Sequence, residues 1–288
     1  MNKAIPASAL LAMLLVGCGS GDAPQPSAAA EGEARASEST DAGGASLADA
    51  NRRCRELIDR AQRTEAQTLC LEALKRAAEA GEDTVAYGRA VANSAYLFQM
   101  NGDYEQAVDF YERAIEVQSP RVDTEPRPLA RTLADYGLMA IQRGDAEAAL
   151  PRLERAAELL QRAGDGDSEA MAALMGDTAE AHEMAGDMDA AVAWYERSLA
   201  AYRKAQGESH ANVGIAMNNL GMAFHQKKEY AKADPLLRDA YALLEAQLGA
   251  EHPVSDVARR NISDNAAMME SPAKAPAPKA EAANGDAD

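Results

Sequence analysis

The sequence predicts an all-α protein, a solenoid in which antiparallel helix pairs stack side by side. One short phrase occurs four times, and its central positions, Tyr104, Ala146, Met188 and Tyr230, are each 42 residues apart. A fixed period of this length indicates repeated supersecondary units rather than one closed core. Aromatic residues make up only 5% of the chain and alanine is abundant. That composition favours closely packed helices over a β-sandwich.

The N-terminal residues 1–17 have the features of a signal peptide. Lys3 supplies a positive charge, and the apolar stretch over residues 4–16 is too short to span a bilayer as a helix. The stretch ends in Leu15-Val16-Gly17-Cys18, which resembles a bacterial lipobox. The resemblance implies cleavage before Cys18 and acylation of that cysteine, with several chains such as palmitate giving a durable anchor. The alternative is an ordinary secretory signal with an incidental cysteine.

Residues 18–46 are expected to be the lipidated cysteine and a disordered tether. The segment is rich in Gly, Ser, Ala, Pro and acidic residues and has no apolar periodicity. By analogy with known lipoproteins, Gly19 after the cysteine favours the outer membrane, with the folded part facing the periplasm. Residues 271–288 have a similar Ala/Pro-rich composition and are expected to form a disordered tail.

Residues 47–84 are expected to form an atypical N-terminal helical hairpin. It contains Cys54 and Cys70, which lie at similar distances on either side of the expected turn. In an oxidising compartment, an even pair of this kind favours a disulfide. The alternative is two separately buried thiols, which pack as small hydrophobic groups.

Residues 85–270 are expected to hold four 42-residue repeats followed by a capping helix. Within each unit, small and large residues fall at spacings of three, four and seven, which places them on one helical face. A Gly-Asp pair at the middle of the first three units ends one helix and begins the next, at Gly102, Gly144 and Gly186. Lys228 takes the place of the glycine in the fourth unit. We therefore expect a different backbone conformation at that turn.

These units resemble the tetratricopeptide repeat, over about residues 85–250. The long period is similar to that of kinesin light chains, and the fourth unit carries the closest phrases, at residues 216–221 and 248–253. The resemblance implies a right-handed superhelical solenoid whose first helices line a concave groove for protein or peptide partners. It is specific for fold and does not identify a cellular role.

The 42-residue register predicts a row of side chains along this groove. The row consists of Asn93, Asp135, Asp177, Asn219 and Asn261. Its expected neighbours are Arg89, Tyr96, Arg131, Asn218, Met222, His225 and Arg260. The family resemblance implies that an Asn in this row holds the main chain or a carboxylate of a bound peptide. The alternative for each residue is an ordinary solvated position on a helix.

The sequence carries no recognisable catalytic site, metal site or cofactor motif. His182-Glu183 lacks the second histidine of a zinc helix, His182 fits a packed position, and His210 and His252 fit turn caps. A net charge of −17 argues against nucleic acid as a partner. We expect a non-enzymatic, membrane-anchored scaffold in the periplasm, with a role in envelope or pilus assembly. The alternatives are a regulatory activator of a cell-wall enzyme and an enzyme with an unrecognised site.

Overall fold

The computed structural model describes residues 46–270, which form eleven α-helices and contain no strand. In chain order the helices are α1 (Leu47–Asp59), α2 (Arg63–Ala80), α3 (Val85–Asn101), α4 (Tyr104–Gln118), α5 (Pro126–Gln142), α6 (Ala146–Arg162), α7 (Glu169–Met184), α8 (Met188–Gln206), α9 (Ala211–Gln226), α10 (Tyr230–Leu248) and α11 (Pro253–Glu270). The predictions for the signal peptide over residues 1–17, for Cys18, for the tether up to residue 45 and for the tail from residue 271 lie outside the described residues.

Consecutive helices pack as pairs, and this confirms the predicted all-α solenoid. The pairs are α1 with α2, α3 with α4, α5 with α6, α7 with α8 and α9 with α10, and α11 packs against the last pair. The first helices of neighbouring pairs are also in contact: α1 with α3, α3 with α5, and α5 with α7. The first helices therefore line the inner face of the stack, where a groove is expected.

The turn inside each repeat uses a left-handed residue, including the turn where the sequence has lysine. Gly102, Gly144 and Gly186 have φ values of 86°, 79° and 82°, and Lys228 has 62°. At the last turn the N–H of Lys228 donates to the carbonyl of His225, and the next N–H donates to Phe224, in the pattern of the glycine turns. The expectation of a different conformation at Lys228 is wrong. The hydrogen bonds that end α9 outweigh the strain of a side chain at positive φ.

Glycines inside the helices let the two members of a pair approach closely. A Cβ added to Gly137 on α5 would lie 2.7 Å from Cδ2 of Leu153 on α6. The same relation holds between Gly221 and Leu237, at 2.8 Å. Leu153 and Leu237 are fully buried. These small-to-large contacts build the core of each repeat.

The N-terminal hairpin is joined by a disulfide between Cys54 on α1 and Cys70 on α2, with the two Cα atoms 5.0 Å apart. Both cysteines are buried in a cluster with Ile58, Ala66 and Leu97. Because Leu97 belongs to α3, this cluster also attaches the hairpin to the first repeat. The hairpin therefore continues the stack at its N-terminal end.

Two of the four histidines cap the N-terminal ends of helices. Nδ1 of His210 accepts a hydrogen bond from the N–H of Asn212 at 3.2 Å, and Nδ1 of His252 accepts one from Val254 at 3.3 Å. Both contacts confirm the capping role expected from the sequence. In the described part of the chain, no helix combines the length and the apolar character that a membrane crossing requires.

Candidate protein-binding groove

The inner face carries an arginine-rich cleft at its N-terminal end, with a volume of about 380 Å³. Helices α1, α3 and α5 form its walls, because these first helices lie side by side. Five arginines line it, together with three carboxylates. The arginines are Arg52, Arg55, Arg89, Arg127 and Arg131, and the acids are Glu56, Asp59 and Asp135. We call this region the arginine cleft. Among its lining side chains arginines outnumber acids, in a chain whose net charge is −17.

Arg55 is held inside the protein by an ion-pair network. Its Nη1 lies 2.6 Å from Oδ2 of Asp135 and its Nη2 lies 3.1 Å from Oδ1, so the contact is bidentate. Its Nε donates to Asp59 at 3.0 Å, and its guanidinium lies 3.8 Å from the ring centre of Tyr96. Burial disfavours the charged guanidinium, but Asp135 and Asp59 outweigh it and raise the pKa of Arg55. Asp135 and Tyr96, both predicted groove residues, therefore hold Arg55 in place.

Arg89 and Arg131 are the guanidinium groups of the cleft that have no carboxylate within ion-pair distance in residues 46–270. Of the others, Arg52 pairs with Asp49, and Arg127 pairs with Asp165 at 2.6 Å. Arg89 and Arg131 are both exposed to the cleft. The surrounding walls desolvate Arg131 and, together with the charge of Arg55, lower the pKa of its guanidinium. A carboxylate from a partner would relieve this repulsion.

The side-chain amides of the two asparagines on the wall of the cleft donate hydrogen bonds to backbone carbonyls of the protein itself. Nδ2 of Asn93 donates to the carbonyl of Asn51 at 2.9 Å, and Nδ2 of Asn51 donates to the carbonyl of Ala86 at 3.0 Å. Both asparagines are buried, so the prediction that Asn93 offers its amide to a peptide needs correction. Oδ1 of Asn51 is buried and has no hydrogen-bond partner in the described residues. It is an unsatisfied acceptor in the wall of the cleft.

The centre of the inner face is acidic. Asp177 on α7 is 7% exposed, and Glu180 follows one helical turn later and is half-buried. Burial raises the pKa of Asp177 to about 8, and the charges of Glu180 and Asp135 act in the same direction. Burial, with the charge of Glu183, raises the pKa of Glu180 to about 7. Asp177 was predicted from its register, and the structure places it beside an acid that the sequence did not single out.

The C-terminal part of the predicted row is closed by α11. Asn218, Asn219, Met222 and Asn261 are all at most 4% exposed. Nδ2 of Asn261 donates to Oδ1 of Asn218 at 2.9 Å, which joins α11 to α9. These four side chains do not line an open groove as expected, because α11 packs against α9 and all four are buried. They stabilise the end of the stack instead.

The two remaining predicted residues also have partners at this end. Nδ1 of His225 lies 3.0 Å from Oδ1 of Asn265, whose own Nδ2 donates to the carbonyl of Tyr230. Arg260 is exposed and lies 3.2 Å from Asp256 on its own helix. Neither side chain reaches the arginine cleft. The open part of the groove is thus the N-terminal half.

Sequence reasoning missed Asn51, Arg52, Arg55 and Arg127 as residues of the cleft. A signal existed for Asn51, which lies 42 residues before Asn93 and so begins the same row. Arg127 lies one helical turn before Arg131. Arg52 and Arg55 follow Asn51 on the same helix, α1, in the hairpin that fits the repeat pattern only partly.

Comparison with known protein families supports the repeat assignment. Two family models match this chain, and both are described as tetratricopeptide repeat. One matches residues 128–204 and 179–246, and the other matches residues 88–120. The chain therefore carries tetratricopeptide repeats, the class of repeat that the helix pairs and their inner groove define.

Solved structures with similar folds include three whose lengths this chain nearly spans. The nearly identical TPR-like repeats of a kinesin light chain from Podosopora anserina share 18% identity and a TM-score of 0.57, over 69% of this chain and 95% of that one. BtubC (BKLC) from P. vanneervenii shares 17% identity with a TM-score of 0.54, over 84% of this chain and 97% of that one. PilF from Pseudomonas aeruginosa shares 19% identity with a TM-score of 0.53, over 78% of this chain and 90% of that one. At these identities the likeness concerns the fold alone. Comparison with curated protein sequences gives no match.

Proposed function

We propose that this protein is a non-enzymatic scaffold that binds an acidic segment of a partner protein in the arginine cleft. The observation that carries the proposal is the pair Arg89 and Arg131, two exposed guanidinium groups that face the cleft without a carboxylate partner in residues 46–270. Tetratricopeptide repeats are generally protein-binding modules, which supports a scaffold over an enzyme.

The geometry suits a peptide carboxylate better than a point anion. Guanidinium groups present donors in a planar fork that matches a carboxylate, and such charge-assisted hydrogen bonds are worth about 1.5–3 kcal/mol each. Oδ1 of Asn51 adds an acceptor for a main-chain N–H. A segment that offers acidic side chains or a C-terminal carboxylate along with a free main-chain N–H would use both kinds of group.

We further propose that the scaffold is anchored through an acylated Cys18 in the outer membrane and faces the periplasm. The lipobox-like end of the signal peptide supports the anchor, and the bonded cysteines Cys54 and Cys70 agree with an oxidising compartment. In that setting the partner would be a periplasmic or membrane protein, in envelope or pilus assembly. Radiolabelled palmitate incorporated by the full chain, and lost in Cys18→Ala, tests the anchor.

A site-specific crosslink tests the binding site. A photoreactive residue at Ala92, which lines the cleft, should crosslink in the cell to a partner peptide that contains acidic residues or a chain end. The double variant Arg89→Glu/Arg131→Glu should reduce the yield at least about tenfold, because attraction becomes repulsion. Arg53→Glu/Arg63→Glu is the matched control, since both residues are exposed and lie outside the cleft.

The identity of the crosslinked protein separates the proposed role from its alternative. A structural envelope or pilus component supports the scaffold. A cell-wall enzyme whose turnover rises on addition of the purified protein supports a regulatory activator. Equal yields from the cleft variant and the control variant would remove the cleft as the binding site in either case.

A further inference from the structure

The acid pair of α7, Asp177 and Glu180, has the features of a second binding site beside the arginine cleft. The two residues are three positions apart, so their side chains share one face of the helix. Oδ1 of Asp177 is buried and has no hydrogen-bond partner in residues 46–270. A buried acceptor without a donor is costly, and a donor supplied by a ligand would remove that cost.

We propose that this acid pair binds the ammonium or guanidinium group of a lysine or arginine side chain, carried by the same partner segment that occupies the arginine cleft. The inference rests on the proposed function, because the cleft supplies the other half of the contact. The groove then recognises a segment of mixed charge, with acidic residues followed or preceded by a basic one.

Within residues 46–270, the charged groups that shift the pKa of Asp177 are both acids, Glu180 and Asp135. On its own helix lie Glu180 and Glu183, and from α5 comes Asp135, which Arg55 neutralises. Helix α8 contributes Tyr195 and Tyr202, and burial raises the pKa of both hydroxyls so that they stay neutral. Arg131, also on α5, faces the arginine cleft and is not among the groups that shift the pKa of Asp177. Arg152 lies over the ring of Tyr136, and His225 is hydrogen-bonded to Asn265.

The distance between the two sites sets the spacing of charges in the bound segment. Asp135 borders the arginine cleft, and Asp177 occupies the same register one repeat later, on the next first helix. Packed helices lie about 8–10 Å apart. An extended chain covers that distance in about three residues. The basic side chain is therefore expected about three positions from the acidic group held by Arg89 and Arg131.

Binding of the cation should depend on pH in a defined direction. The cation requires ionised carboxylates, and the pKa values of Asp177 and Glu180 are raised to about 8 and about 7. Below these values the site holds protons that the cation must displace. The contribution of the basic residue to affinity should grow as the pH rises from 5.5 to 8.5.

The test uses three synthetic peptides and the folded protein at low ionic strength. The first is acetyl-Gly-Glu-Glu-Ala-Ala-Lys-Gly-amide, the second has norleucine in place of lysine, and the third reverses the order of the first. Affinities are measured by calorimetric titration at pH 5.5 and 8.5. At pH 8.5 the better of the two lysine peptides should bind about tenfold more tightly than the norleucine peptide, and at pH 5.5 less than about twofold.

Two variants decide the outcome. Asp177→Asn/Glu180→Gln should bind the lysine and norleucine peptides equally, whereas Glu154→Gln, an exposed acid on α6, should behave as the unmodified protein does. A lysine preference that survives in the double variant, or that is missing from the unmodified protein at pH 8.5, overturns the acid site. A site filled by added Mg²⁺ or Ca²⁺, without a lysine preference, overturns it too.

A different result would refute the proposed function, and it can be told apart from failure of the acid site. If Arg89→Glu/Arg131→Glu leaves the affinity for the norleucine peptide unchanged, the arginine cleft is not the binding site. If that variant abolishes norleucine-peptide binding and lysine still makes no difference in the unmodified protein, the cleft stands and the acid pair alone is refuted.

Discussion

Arg55 and Asp135 are 80 residues apart in the sequence and form a bidentate ion pair, with N–O distances of 2.6 and 3.1 Å. The pair joins α1 of the N-terminal hairpin to α5 of the second repeat, across the inner face of α3. The charge of Arg55 lowers the pKa of the nearby Arg131, whereas Asp135 and Asp59 act in the opposite direction. Arg131 has no carboxylate within ion-pair distance in residues 46–270.

Removing one member of this pair should destabilise the protein. Asp135→Ala leaves the largely buried Arg55 with Asp59 alone, and we expect a loss of about 2–4 kcal/mol in the free energy of unfolding. Arg55→Leu/Asp135→Leu should lose less than Asp135→Ala, because no unpaired charge remains. Urea unfolding of the variants measures both values, and an Asp135→Ala variant as stable as the unmodified protein would show that the pair contributes nothing.

Asp177→Asn should stabilise the protein at high pH. The pKa of Asp177 is raised to about 8 in the folded state, against about 3.9 for an unfolded chain. The unfolded state therefore releases its proton first, and stability falls as the pH rises from about 4 to about 8. The variant should gain about 1–3 kcal/mol over the unmodified protein between pH 4.5 and 8.5. A stability difference that does not change with pH contradicts the raised pKa.

Lys228→Gly should stabilise the fourth repeat. Lys228 has a φ of 62°, where an L side chain costs about 1 kcal/mol and glycine does not. We expect a gain of about 0.5–1 kcal/mol in thermal or urea unfolding, reduced by the greater entropy of glycine in the unfolded chain. The reverse change at the equivalent turn, Gly186→Lys, should destabilise by a similar amount. The same sign for both changes would contradict the shared turn conformation.

The disulfide between Cys54 and Cys70 should stabilise the hairpin that carries the first wall of the cleft. Closing a loop of this size contributes about 3 kcal/mol by restricting the unfolded chain. Reductant should therefore lower the stability of the unmodified protein by about that amount and leave Cys54→Ala/Cys70→Ala unchanged. If reductant changes the stability of neither protein, the disulfide does not stabilise the hairpin and the prediction is wrong.

The sequence predicted the helix pairs because the 42-residue period repeats a pattern of small and large residues that only stacked helices satisfy. It placed Arg89, Arg131 and Asp177 on the inner face for the same reason. It could not show that the packing of α11 against α9 buries Asn218 and Asn261, because a register gives the face of a helix and not what covers that face. The burial that raises the pKa of Asp177 likewise depends on contacts between helices that are distant in the sequence.

The central claim is that Arg89 and Arg131 bind carboxylates of a partner segment. The most direct measurement is the affinity of the folded protein for a Glu-Glu peptide relative to the same peptide with Gln-Gln, at low ionic strength. We expect a preference of at least about tenfold for Glu-Glu, lost in Arg89→Glu/Arg131→Glu and kept in Arg53→Glu/Arg63→Glu. Equal affinity of the unmodified protein for the two peptides would contradict the account.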